Sequence, residues 1–180
     1  MLILVGPSAS GKTEIASLLI DKYKMERMIT YTTRPIRVGE VNHVSYHFVS
    51  ELEFKERIQN DEFIEFTTYN GYYYGSNKKD AGVNKIVILE PNGVNAFYEK
   101  MKEDVTIIYI SANDALRVDR MYRRGDSHEQ VQKRIKNDQL VFGIDKLSHI
   151  DKVFVNENIS LNDITKEIYE YYKNIWEENK

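Results

Sequence analysis

Apolar residues fall along this chain in two rhythms, and their alternation predicts an architecture. Leu2-Ile3-Leu4-Val5, Ile86-Val87-Ile88-Leu89 and the mostly apolar stretch from Val105 to Ile110 read as strands buried on both faces. Lys152-Val153-Phe154-Val155-Asn156 reads as a last short strand. Between these runs the spacing turns helical. Ile15, Leu18, Leu19 and Ile20 line one face of a helix over 14–23, and helices are expected over 93–101 and 114–124. Behind a Ser160 cap, Leu161, Ile164, Ile168, Tyr171 and Ile175 recur at intervals of three and four. That spacing makes Tyr171 and Trp176 core or rim rather than a binding platform. Strands alternating with helices predict a parallel sheet covered by helices on both sides.

One stretch breaks the alternation. Met28-Ile29-Thr30 and Tyr46-His47-Phe48-Val49 read as short strands, and Ser50-Glu51-Leu52-Glu53 as a capping box opening a helix with Leu52, Phe54 and Ile58 inward. Phe63–Phe66 and Tyr72–Tyr74 flank Tyr69-Asn70-Gly71, and Asn-Gly between aromatic-rich runs signals a hairpin. Alternation puts Glu65 on the opposite face from Ile64 and Phe66, which suits the wet face of an edge strand. A second capping box, Ser127-His128-Glu129-Gln130, opens a helix bearing Lys133, Arg134 and Lys136.

Composition narrows the class. A chain of 180 residues, 42% hydrophobic and 29% charged, is that of one globular domain with a real core. A net charge of −3 argues against general affinity for nucleic acid, which needs a basic face. There is no cysteine, so no disulfide framework and no thiol chemistry. The N-terminal apolar run is too short for a signal peptide or a membrane span, so a cytoplasmic location without membrane contact is expected.

The candidate chemistry begins at Gly6-Pro7-Ser8-Ala9-Ser10-Gly11-Lys12-Thr13, which fits the phosphate-loop pattern G-x-x-x-x-G-K-[ST]. A strand feeding a helix through glycines aims backbone N–H groups and the positive helix end at one point, which makes an anion cradle. Lys12 would reach the β- and γ-phosphates of a nucleotide, and the Thr13 hydroxyl would hold Mg²⁺. Downstream, Pro35 and Gly39 keep 32–40 a loop carrying Arg34 and Arg37, either solvated charges or a clamp on a second phosphate. Arg117, Arg120, Arg123 and Arg124 gather before a break at Gly125-Asp126, with Arg134 beyond it, either a solvated face or a mobile basic lid. The four histidines lack metal-site spacing.

Taken together these residues resemble the guanylate kinase family over essentially the whole chain. The landmarks are Gly-Pro-Ser-x-x-Gly-Lys-Thr at 6–13, Thr-Thr-Arg-x-x-Arg-x-Gly-Glu at 32–40, Tyr46 with Phe48-Val49, and Phe63-Ile64-Glu65. Gly71-x-Tyr-Tyr-Gly-Ser at 71–76 and the arginines at 120, 124 and 134 complete the set. The resemblance implies transfer of a phosphoryl group from ATP to GMP or dGMP, with Mg²⁺. It implies an α/β P-loop NTPase core with a five-stranded parallel sheet (residues 1–30, 79–116 and 139–180), a small antiparallel monophosphate-binding subdomain (31–78) and a helical lid (117–138). It further implies that Gly6, Ser8, Ala9, Ser10, Gly11, Lys12, Thr13 and Asn156 bind ATP, the last near its adenine. By the same match Arg34, Arg37, Tyr46 and Tyr74 would hold the acceptor's phosphate, Glu65 would accept from guanine N1–H and the 2-amino group, and Thr30 and Ser76 would read the base. Lys12, Arg120, Arg124 and Arg134 would neutralise the transferring group. The chain departs from the family pattern at Ile88-Leu89-Glu90 in place of Asp-x-Asp, at Thr30 in place of serine, and at His43-Val44-Ser45 before Tyr46. Two other readings are a phosphate-loop kinase with another small acceptor and a non-catalytic binding module of the same fold.

Overall fold

The computed structural model describes residues 1–69 and 71–178. Its strands are β1 (Leu2–Val5), β2 (Glu26–Arg27), β3 (Tyr31–Thr32), β4 (His47–Phe48), β5 (Phe63–Tyr69), β6 (Tyr72–Asn77), β7 (Lys85–Ile88), β8 (Thr106–Ser111) and β9 (Lys152–Val155). Its helices are α1 (Lys12–Tyr23), α2 (Glu51–Gln59), α3 (Pro91–Met101), α4 (Asp114–Arg123), α5 (His128–Val141) and α6 (Leu161–Glu178). The chain divides into two compact units, one of Met1–Glu26 with the chain from Val83 onward, the other Arg27–Gly82.

In the first unit five strands lie in the order β2-β7-β1-β8-β9, and β1 runs parallel to both β7 and β8, as β9 does to β8. β1 is fully buried, which is why it is apolar at every position. On one face Ile15 and Leu19 of α1 join Ile164, Ile168 and Tyr172 of α6 over Leu2, Leu4, Ile108 and Ile110. Val94 and Phe97 are the buried residues with which α3 packs against the sheet. The chain leaves β1 on one side through β7 and returns to its other side as β8. That reversal of strand order opens the crevice where parallel sheets bind ligands.

The second unit is a four-stranded sheet in the order β4-β3-β6-β5, antiparallel through β3, β6 and β5 and closed at one edge by β4 running parallel to β3. One aromatic layer holds it to α2. The Phe54 ring stacks 4.5 Å from Phe63 and 5.3 Å from Tyr73, and no part of Phe54 reaches solvent. Ser50 and Glu53 form the reciprocal cap that starts α2. Ser127 and Gln130 do the same for α5.

Three local expectations are corrected. The strand expected at Met28-Ile29-Thr30 is absent: pairing falls on either side, at Glu26–Arg27 and Tyr31–Thr32. Met28 is apolar because it is buried, not because it joins a ladder. Leu52 is 69% exposed, since in the first turn of α2 it lies away from the aromatic layer that Phe54 meets. The alternation through Ile64 and Phe66 is broken by a register shift between Phe63 and Glu65, so Phe63 and Ile64 are both buried and Phe66 is half exposed. The hairpin turn centred on Asn70 lies outside the described residues. Among the described residues no helix is long and apolar enough to cross a membrane.

Candidate active site

β1 ends at Val5 and the chain turns at once through Gly6. A β-carbon there would stand 2.2 Å from the Ile110 carbonyl oxygen of β8, at φ +145°. Only glycine lets the loop run this close to the neighbouring strand. Gly11, the residue before α1, has φ +104°, and a β-carbon on it would meet Asn156 Nδ2 at 2.3 Å. That amide donates to the Ser10 carbonyl oxygen at 2.8 Å and is buried with it. The two glycines therefore pin the loop between β8 and the chain after β9. The first N–H groups of α1 have no acceptor within the helix and lie at its positive end, so they present an anion site.

Lys12 leads this site. Its Nζ donates to the Pro7 carbonyl oxygen at 2.7 Å and to Ser10 Oγ at 3.4 Å, with the Phe142 ring centroid 5.9 Å away. Burial pushes its pKa down to about 8, against the upward pull of Asp138 and with a smaller downward push from Arg117. A poorly hydrated ammonium of this kind gains strongly from a phosphate partner. Thr13 is exposed in the first turn of α1. Asn156, expected beside an adenine, lies behind the loop with its side chain on Ser10.

Of the arginines at 120, 124 and 134, the first reaches the loop and the other two meet at the α4–α5 turn. Arg120 donates to the carbonyl oxygens of Ala9 at 3.2 Å and Asn156 at 3.1 Å. Arg124 forks onto Asp126, with Nε–Oδ1 at 3.1 Å, and Arg134 lies 3.6 Å from the same carboxylate. Arg124 holds the Asp126 carboxyl below the usual carboxylate range. So Arg124 and Arg134 meet at one acid across the turn, while Arg120 belongs to the loop.

In the second unit, Arg34 is almost fully buried, its fork on Glu40 at 3.0 and 2.7 Å. Its guanidinium lies 5.5 Å from the Tyr46 ring centroid and 5.6 Å from that of Phe48, and Tyr46 meets Tyr74 edge-on at 6.3 Å. Glu40, and after it Tyr74, raise the Arg34 pKa. Arg37 joins through its backbone, whose N–H donates to Glu40 Oε2 at 2.8 Å, while its side chain is exposed and adds a weaker charge interaction with Glu40. Across the β5–β6 pair Glu65 faces Ser76, whose buried hydroxyl donates to Glu65 Oε1 at 2.6 Å. Burial pushes the Glu65 carboxyl up, and Ser76 pulls it back in part. Glu65 is thus no wet-face residue of an edge strand. Thr30 is half-buried, and its carbonyl accepts from the His47 N–H at 2.9 Å.

Sequence reasoning missed three residues that organise these sites. Glu40 was visible only as the end of a motif, yet it ties Arg34 to the Arg37 backbone. Arg117 was hidden in a basic run, and Asp138 was not singled out. Asp138 accepts from the Ser8 N–H at 2.8 Å and Ser8 Oγ at 3.1 Å, and pairs with Arg117. Its signal was a carboxylate seven residues after Val131, on the buried face of α5 that the two share.

Among the described residues no group of three or more His, Asp or Glu side chains could cage a metal ion. Thr13, exposed in the first turn of α1, offers a single hydroxyl that could join a metal ion carried by phosphate oxygens.

A parallel α/β sheet whose central strand ends in a glycine loop opening a helix is the architecture of a nucleotide-binding phosphate-loop protein. The chain belongs to the guanylate kinase family, whose family model matches residues 1–175. It is 32% identical over 181 residues to the guanylate kinase of Bartonella henselae, covering 94% of this chain and 79% of that one. It is 34% identical over 169 residues to the guanylate kinase of Anaplasma phagocytophilum, covering 88% and 80%. The crystal structure of guanylate kinase from Anaplasma phagocytophilum superposes with a TM-score of 0.65 at 23% identity, covering 96% of this chain and 84% of that one. At that identity the superposition speaks for the fold.

Proposed function

We propose that this protein transfers the γ-phosphoryl group of ATP to GMP or dGMP. The observation that carries the choice of acceptor is the Glu65–Ser76 pair: a largely buried carboxylate on the small sheet, hydrogen-bonded at 2.6 Å. Guanine offers two adjacent donors, N1–H and the 2-amino group, whereas adenine has an unprotonated N1 at that edge. A carboxylate facing adenine would lose its partner in a desolvated place, which is costly. Thr30 adds a hydroxyl toward the base. Arg34, Tyr46 and Tyr74, together in the same unit, hold the acceptor's phosphate, and Arg37 swings in from solvent to complete the clamp.

On the donor side the residues from Gly6 to Thr13 cradle the phosphates of ATP. Lys12 leaves the Pro7 carbonyl for the β- and γ-oxygens, and Thr13 would hold Mg²⁺. The ion, when bound, supplies positive charge to the phosphate oxygens. Arg120, Arg124 and Arg134 neutralise the charge that spreads over the transferring group; one such arginine is worth ~10³–10⁵ in rate. For Arg124 and Arg134 this means trading Asp126 for phosphate. Asn156 serves ATP binding by holding Ser10. The acceptor's own phosphate oxygen is the nucleophile, so no covalent enzyme intermediate forms. A cytoplasmic site of action accords with both nucleotides as substrates.

The test is a coupled assay with ATP, Mg²⁺ and a panel of monophosphates. GMP or dGMP is expected to be turned over well above AMP, CMP and UMP. Efficient turnover of another acceptor, with none of GMP or dGMP, would reject the reading.

A further inference from the structure

Ser8, at the tip of the phosphate loop, is gripped by two buried charges. Asp138 of α5 accepts from its N–H at 2.8 Å and its hydroxyl at 3.1 Å, and Arg117 of α4 donates from Nε to its carbonyl oxygen at 2.8 Å. Arg117 and Asp138 pair with each other, and Arg117 Nη1 donates to Asp114 at 2.6 Å. They are 3% and 4% exposed. A buried ion pair is a weak device for stability, because apolar residues of similar volume usually do as well or better. This one differs in where its hydrogen bonds go. Three of them converge on a single loop residue, from two helices at once.

We propose that Arg117 and Asp138 are positioning residues that clamp the phosphate loop to the roots of α4 and α5. Both side chains spend their hydrogen bonds on Ser8, on Asp114 and on each other, so the role is one of register. Arg120 stands one turn after Arg117 on α4, and Arg134 one turn before Asp138 on α5. Fixing both roots to Ser8 sets the distance from the loop to the arginines proposed to meet the transferring group. The inference rests on the phosphoryl-transfer reading for its kinetic consequence, but the clamp itself also shows in ATP binding.

The experiment compares wild type, Asp138→Asn, and the double variant Arg117→Met/Asp138→Leu. Three quantities are read: thermal stability, affinity for MgATP by calorimetry, and kcat with KM for ATP and GMP. A loop misplaced by about 1 Å costs ~10²-fold, so Asp138→Asn is expected to lower kcat/KM for ATP by roughly 10- to 100-fold. KM for GMP stays near wild type, since the GMP residues lie in the other unit. The double variant removes both charges and is expected to regain stability without regaining ATP affinity or kcat. It carries the test even where Asp138→Asn folds poorly. Recovery of stability, ATP affinity and rate together would overturn the clamp and leave a purely structural pair. So would an equal rise in KM for ATP and GMP. If wild type binds ATP yet ignores GMP, the acceptor reading fails, and the ATP affinities of the variants still decide the clamp.

Discussion

The two units build their sites from different materials. Around Gly6 to Thr13 the site is main chain: two glycines that tolerate no side chain, N–H groups at a helix start, and one lysine, all braced from behind by Asn156, Arg117 and Asp138. In Arg27–Gly82 the site is side chains: Arg34 beside the rings of Tyr46 and Phe48, and Glu65 against Ser76. A cradle of amides reads charge and size, which every nucleoside triphosphate offers. A carboxylate held by a serine on the next strand would, in the proposed reading, recognise one edge of one base. Hence substitutions in the first unit should change rate for every acceptor, and those in the second should change which acceptor is used.

The largest effect should come from Lys12→Ala. Loss of the ammonium is expected to cut kcat by ~10²–10³-fold or more for any acceptor, measured in the coupled assay. Near-normal turnover would erase the contrast, since the first site would then not depend on the lysine of its loop. Gly6→Ala sharpens the same side. Its β-carbon would overlap the Ile110 carbonyl, so either β1 and β8 part or the loop shifts. ATP affinity and Tm are both expected to fall, with a stability loss of about 1–3 kcal/mol.

Glu65→Gln tests the second side. A lost charged hydrogen bond is worth about 1.5–3 kcal/mol, so kcat/KM for GMP should drop ~10- to 100-fold while KM for ATP holds. The same variant should be more stable without ligand. Burial raises the Glu65 pKa, so the folded state binds more protons than the unfolded state between the two pKa values. Stability from this group is therefore fullest below the unfolded pKa and declines as pH rises through the folded one. Glutamine removes the decline, so its Tm should exceed that of wild type at neutral pH and converge with it in acid. The smallest effect belongs to Ser50→Ala, which removes the α2 cap and should cost about 1 kcal/mol, with no change in the choice of acceptor.

What could be read from residues alone follows the same division. The loop was legible because its geometry demands glycine at fixed places, and Leu2–Val5 because a strand buried on both faces must be apolar throughout. Met28 misled because apolar character reports burial rather than pairing. At Ile64 a register shift let two neighbours face inward together, which no alternation rule anticipates. Arg117 and Asp138 escaped because their partner, Ser8, is more than a hundred residues from either along the chain. Glu65 became meaningful only when β5 and β6 were paired, which set Ser76 opposite it.

The most direct measurement is calorimetry of GMP binding at mildly acidic pH in two buffers of different ionisation enthalpy. Burial holds more of Glu65 protonated without ligand than an ordinary carboxylate at the same pH, and guanine's donors would favour its ionised form. The phosphate of GMP titrates in the same range in both proteins, so the Glu65 contribution is the difference: wild type should release more protons on binding than Glu65→Gln, which should also bind more weakly. Equal affinity in the two proteins, with no difference in proton release, would contradict a carboxylate that reads guanine.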